Sequence, residues 1–149
     1  MKIDSTSKDH NSSFLDDQMT VCKLLEKDGV SAIEVSGSNF KTYKQGDPYY
    51  LENALKIKQG LSIPIIVVGG FRNSLQMNDA LNKGIDLISV SRPFIADENF
   101  IEKLKQQQTS KCISCNQCFR LYKTEFKHCI FNEEINSQLY ENFHKTLTK

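Results

Sequence analysis

Apolar residues along this chain fall into runs of two kinds. Val30 to Val35 (VSAIEV), Ile63 to Val68 (IPIIVV) and Ile85 to Val90 (IDLISV) are short and rich in β-branched residues, the pattern of strands. Ile63, Ile65, Ile66, Val67 and Val68, interrupted only by Pro64, suit a strand covered on both faces, as in a parallel sheet. Between these runs the apolar positions recur at helical spacing. Met19, Val21, Cys22, Leu24 and Leu25 give one face of a helix that Asp16 or Asp17 caps and Gly29 ends. Leu51, Ala54 and Leu55 turn inward on a helix from Tyr49 to Gln59, with Gly60 as its stop. Met77, Ala80 and Leu81 belong to a helix with Ser74 at its N-cap and Gly84 past its end. Phe100, Ile101 and Leu104 make the buried stripe of a helix that Asp97 caps and that runs to Gln107. An amphipathic helix from Glu133 to Lys149 closes the chain, with Ile135, Leu139, Tyr140, Phe143 and Leu147 on one side.

One stretch repeats in type. Lys27-Asp28-Gly29 followed by Val30 to Ser36 matches Asn82-Lys83-Gly84 followed by Ile85 to Ser91: a helix end, a capping glycine, a buried strand and a serine. Repeated βα units with right-handed crossovers imply a parallel sheet, open or curved into a barrel. The chain carries three complete units and, in Met1 to Asp4, the end of one earlier strand. A full (β/α)₈ barrel takes on the order of 250 residues, so the expectation is about half of one, or a small open α/β sheet. Met1 stands where a hydrophobic strand residue is expected, which suggests a truncated gene or gene fragment.

Composition narrows the class. The 149 residues are 39% hydrophobic with no tryptophan, enough for a real core. Nineteen basic and eighteen acidic residues are interspersed, leaving a net charge of +1 and no footprint for nucleic acid or an anionic membrane. The N-terminus is polar and no apolar run reaches membrane-spanning length. Five cysteines without a secretory signal point to a reducing compartment, and the expected location is cytoplasmic. Residues 1–108 form the repeating α/β body, and residues 109–149 a Cys-rich segment with the closing helix.

Two constellations carry chemistry. Gly69-Gly70 end one strand and Ser91-Arg92 the next, so parallel pairing places them side by side. Free N–H groups, a helix N-terminus and a guanidinium converging at one sheet end make a phosphate site. A structural turn pair is the plainer alternative. The loop from Phe40 to Pro48 lies on the same side, where α/β proteins place ligand-contacting loops, although a solvated loop fits it equally. The second constellation is Cys112, Cys115 and Cys118, with Cys129 following after ten intervening residues. This spacing suits thiolate ligation of a 4Fe-4S cluster or a Cys₄ zinc site, and reduced thiols in a compact turn are the alternative. His128 is a substitute ligand candidate, and Cys22 reads as a core residue.

MKID, KDGVSAIEVSG, VVGGFRN, ISVSRPFIADENF and CISCNQCF resemble, in order and spacing, segments of the Old Yellow Enzyme family. These are flavin-dependent ene-reductases and NADH:flavin oxidoreductases, including the branch related to 2,4-dienoyl-CoA reductase. The resemblance covers Met1 to about Asn132. It implies the C-terminal half of a TIM (β/α)₈ barrel, parallel strands alternating with helices, plus a C-terminal Cys-containing extension. It further implies FMN at the strand ends, NAD(P)H as hydride donor and an activated alkene as small-molecule substrate. Position by position, Gly69 and Gly70 match the seventh-strand turn near the FMN phosphate, and Ser91 and Arg92 the eighth-strand pair that holds it. Lys2 matches a fifth-strand cation facing flavin N1 and O2. The family's first four strands, with its substrate-binding His/Asn pair and tyrosine proton donor, have no counterpart here, so no catalytic residue is assigned. The expected partner is a missing N-terminal half-barrel or a second copy. The iron–sulfur branch spaces its cysteines Cys-x₂-Cys-x₃-Cys, one residue longer than Cys112–Cys118.

Overall fold

A computed structural model describes residues 1–6, 14–40, 47–119 and 128–133. Four strands alternate with helices: β1 (Lys2–Asp4), α1 (Phe14–Lys27), β2 (Ile33–Ser36), α2 (Leu51–Lys58), β3 (Ile65–Val68), α3 (Ser74–Asn82), β4 (Leu87–Ser89), α4 (Arg92–Ala96) and α5 (Phe100–Lys105). All pairings are parallel and the strands lie in chain order, β1-β2-β3-β4. That is the α/β arrangement of consecutive units in a (β/α)₈ barrel. Lys2 stands opposite Glu34, Ile33 opposite Ile65, and Ile66 opposite Leu87.

The strands are shorter than the apolar runs that predict them, and the helix ends explain why. Val30 N–H bonds Leu25 O at 3.0 Å and Gly29 N–H bonds Glu26 O at 3.0 Å. Ile85 N–H and Gly84 N–H repeat the pattern to Ala80 O and Leu81 O at 3.2 and 3.0 Å. These are paired Schellman caps, with both glycines in the left-handed region at φ +89° and +105°. The first apolar residue of these two runs, Val30 and Ile85, therefore belongs to the preceding helix cap, and the sequence echo is a repeated piece of backbone.

Strand burial alternates. Ile3, Ile33, Val35, Ile65 and Val67 are buried in one cluster with Cys22, Ala54, Ile57 and Ala80 from the helices, and Ile88 packs against it. The other face carries Lys2, Glu34, Ile66 and Leu87, and Leu87 is 53% exposed. The expectation of β3 covered on both faces is thus corrected. Helices cover one face, and no second layer lies over the other among the described residues.

Local details also differ from the sequence reading. Asn73, extended at φ −149°, is the N-cap of α3 in place of Ser74, and its Oδ1 accepts the Gln76 N–H at 2.9 Å. Asn99 occupies the cap of α5, because the Asp97 carboxylate is engaged elsewhere. Ser91-Arg92-Pro93 opens the short helix α4. Val21, Leu24, Leu81 and Ile101 are exposed, so the buried stripes are narrower than their patterns. Residues 134–149 of the helix expected from Glu133 to Lys149, and most of the 40–48 loop, lie outside the described residues. No described helix is long and apolar enough to cross a membrane.

Asp86 fastens the lower end of β3. Its carboxylate accepts the Ile65 N–H at 2.7 Å and pairs with Lys58 Nζ at 2.8 Å. The Ile65 bond, then the Lys58 bond, hold its pKa below the ordinary 3.8. A depressed carboxylate contributes stability that is present above the unfolded pKa and lost as pH falls through the folded one. Asp86→Asn is expected to cost about 1 kcal/mol at neutral pH, at the low end because the group is partly exposed. Denaturant unfolding at pH 7 and below 3.8 checks this, with the difference between variants shrinking in acid.

Candidate functional site

A cavity of about 320 Å³ opens at the C-terminal ends of the strands, a size within the range of small-molecule sites, roughly 300–1,000 Å³. Its walls include all of Lys2, Gly69, Gly70, Ser91 and Arg92. Lys2 Nζ is paired with Glu34 Oε1 at 2.6 Å. Gly69 and Gly70 both have positive φ, +109° and +91°. A Cβ on Gly70 would meet Asp47 O at 2.7 Å and Pro48 Cα at 2.8 Å. The chain's own 47–50 segment is therefore the close neighbour of this turn, and the Tyr49 N–H bonds Gly69 O at 3.0 Å. A side chain here would displace that segment.

Of the two helix N-termini near the strand ends, that of α4 (Ser91 to Pro93) lies on the cavity wall and that of α3 does not. At the start of α3 the Gln76 N–H goes to Asn73, and Gln76 Oε1 takes the Arg72 N–H at 2.8 Å. Leu75 faces solvent at 78% exposure. Side chains of the helix close its own end.

Two arginines line the cavity. Arg72, absent from the sequence-derived set, is 4% exposed and lines the cavity with Arg92. Its guanidinium donates to Cys112 O at 2.9 Å, to Phe71 O at 2.8 Å and to Ser114 Oγ. Tyr49 Oη donates to the same Ser114 hydroxyl at 2.6 Å. Arg92 donates to Asn116 Oδ1 at 2.6 Å, with its guanidinium carbon 5.5 Å from the centre of the Tyr49 ring. Burial pushes the Arg72 pKa down, and the like charge of Arg92 acts in the same direction. Among the described residues neither arginine pairs with a carboxylate. The hydrogen bonds described for them go to neutral groups, and no carboxylate among the described residues cancels their charge.

The Cys-rich segment is fastened to this site. Asp97 accepts from Ser110 Oγ at 2.5 Å, from the Lys111 N–H at 2.9 Å and from Lys103 Nζ. Burial alone would raise the Asp97 pKa, but the bonds from Lys103, Ser110 and Lys111 outweigh it and leave it low. Ser110 N–H bonds Arg72 O at 2.9 Å. Cys112, Cys115, Cys118 and Cys129, all unpaired thiols, line one small apolar cavity of about 20 Å³. Arg92 and Asn116 border it too. Among the described residues the thiols do not form a ready metal-holding group. Cys22 is fully buried in the core, as expected.

This arrangement defines an α/β protein of parallel strands alternating with helices, with a basic cavity at the strand ends. Residues 4–111 match the family model of the NADH:flavin oxidoreductase / NADH oxidase family, and the chain belongs to that family of flavin-dependent oxidoreductases. It is 27% identical over 81 residues to a 4,4'-dithiodibutanoate disulfide reductase of Rhodococcus erythropolis, a match covering 53% of this chain and 20% of that protein. It is 31% identical over 127 residues to a metal reductase of Desulforamulus reducens (76% of this chain, 19% of the relative). A bilirubin reductase of Mediterraneibacter gnavus is 25% identical over 144 residues, 86% of this chain and 22% of the relative. The chain spans about a fifth of the length of these relatives.

Because the Arg72 bonds cross from β3 to the Cys-rich segment, Arg72→Lys is expected to cost about 2–3 kcal/mol, leaving buried acceptors unmet. Thermal unfolding reads the loss. Titration with a thiol reagent should show Cys112, buried in the parent chain, reacting faster in the variant.

Proposed function

We propose that this chain supplies the phosphate-holding side of an FMN site in a flavin oxidoreductase. The observation supporting this above the others is the pair Arg72 and Arg92, which line one cavity with neutral hydrogen-bond partners and no carboxylate among the described residues. A guanidinium stays charged when buried and binds phosphate oxygens through a planar fork of donors. A cavity holding two such groups favours an anion. Backbone N–H groups at Gly69, Gly70 and Ser91, on the same wall, would complete the cradle. Lys2 lies on that wall too, where a cation favours a flavin that gains negative charge on reduction; Glu34, paired with it, moderates that charge.

FMN, when bound, supplies the hydride chemistry. The residues of this chain anchor the phosphate, fix the mouth of the cavity through Tyr49, and hold positive charge near the strand ends. NAD(P)H is the proposed hydride donor and an activated alkene the proposed substrate. Groups from outside this chain, an N-terminal half-barrel or a second copy, would bind that substrate. The proposed compartment is cytoplasmic. Flavin-fluorescence titration tests the reading. Arg92→Met is expected to weaken FMN about 10–100-fold, the loss of charged hydrogen bonds. Unchanged FMN binding would remove Arg92 from the site.

A second reading concerns Cys112, Cys115, Cys118 and Cys129. That all four border one cavity supports a thiolate site, and soft thiolates select iron–sulfur clusters or zinc. Metal analysis of anaerobically purified protein is expected to find either iron with labile sulfide or stoichiometric zinc. Finding neither leaves the cysteines as reduced thiols and ends this reading.

A further inference from the structure

The Cys-rich loop connects two cavities: Asn116 borders the small apolar one and bonds an arginine that lines both. Cys112, Cys115 and Cys118 border the small apolar one. Ser114 bonds Arg72 and Tyr49, and Asn116 bonds Arg92; these three partners line the larger one. Both Ser114 and Asn116 are in the left-handed region, at φ +60° and +61°. Arg92 borders both cavities.

We propose that Asn116 is a positioning residue: it sets the Arg92 guanidinium for a phosphate, so that the Cys-rich loop governs the pocket's preference for a phosphorylated flavin. The proposal rests on the FMN reading above. Asn116 Oδ1 takes one guanidinium N–H at 2.6 Å, and the Tyr49 ring lies 5.5 Å from the guanidinium carbon. Tyr49 is itself fixed by Ser114 at 2.6 Å. A guanidinium has five N–H donors, so one held by an amide leaves others for an anion. The chemistry of the acceptor matters. A carboxylate at this position would fix the arginine and also cancel its charge, whereas an amide fixes it and leaves the charge in place.

Titrations of the full chain with FMN and with riboflavin, which lacks the phosphate, test the assignment. Asn116→Gly removes the amide while glycine keeps the left-handed backbone at no steric cost. The preference for FMN over riboflavin is expected to fall about tenfold, with riboflavin binding unchanged. Asn116→Asp, which also tolerates this backbone, keeps an acceptor but neutralises Arg92, and the preference should fall at least as far. Equal weakening of both flavins in the glycine variant, or an unchanged preference in either variant, overturns the role of Asn116. A parent chain that binds FMN no better than riboflavin overturns the phosphate reading itself, and this proposal with it. A parent preference that survives both substitutions sinks only the role of Asn116.

Discussion

The Arg72 guanidinium joins parts of the chain that are far apart in sequence, and the geometry of the site depends on that joint. Its acceptors Cys112 O and Ser114 Oγ lie 40 and 42 residues downstream. The Ser114 hydroxyl that it holds also receives Tyr49, 65 residues away. Tyr49 in turn is bonded to Gly69 O and lies beside Arg92. One buried side chain thus fixes the end of β3, the segment entering α2 and the Cys-rich loop relative to one another. Asp97 does the parallel work below it, drawing Ser110 and Lys111 onto the end of α4. Buried polar groups joined this fully are costly to disturb, because each lost partner leaves another unmet.

The order and type of the elements were legible because they rest on local rules. β-branched runs, helical spacing and the Gly29 and Gly84 caps act over a few residues each. What failed lay where a local rule met a competitor. Asn73 and Ser74 both suit an N-cap, and the extended backbone at Asn73 decided between them. Asp97 suits a cap by type, but partners more than ten residues away claimed its carboxylate. The two-sided burial expected of β3 follows from composition alone. Composition does not say whether a second layer lies over the sheet, and Leu87 shows that none of the described residues supplies one.

Much of the cavity wall was legible for a different reason. Gly69, Gly70, Ser91 and Arg92 follow the C-terminal ends of β3 and β4, which parallel pairing brings together. Lys2, level with Glu34, Ile66 and Leu87, reaches the wall from the sheet face opposite the helices. Arg72, Tyr49, Ser114 and Asn116 were missed because their roles come from the return of the chain after α5. No periodicity encodes that return. Arg72 did lie within VVGGFRN, a stretch singled out for its glycines. The available signal was a charged residue directly after a buried strand and turn, a position where burial requires a partner.

The two faces of the sheet divide the work between stability and binding. Residues facing the helices are Ile3, Ile33, Val35, Ile65, Val67 and Ile88, large or β-branched side chains that fill the core. By the strand register, Lys2, Ser36, Val68 and Ser89 belong to the opposite face, and all four line the cavity. That face is polar or short where it meets the strand ends, so it leaves room. Because a strand alternates sides at every residue, a one-residue slip would put isoleucines into the cavity and Lys2 into the core. The helix-side packing therefore sets the register, and the register in turn decides which residues reach the two arginines.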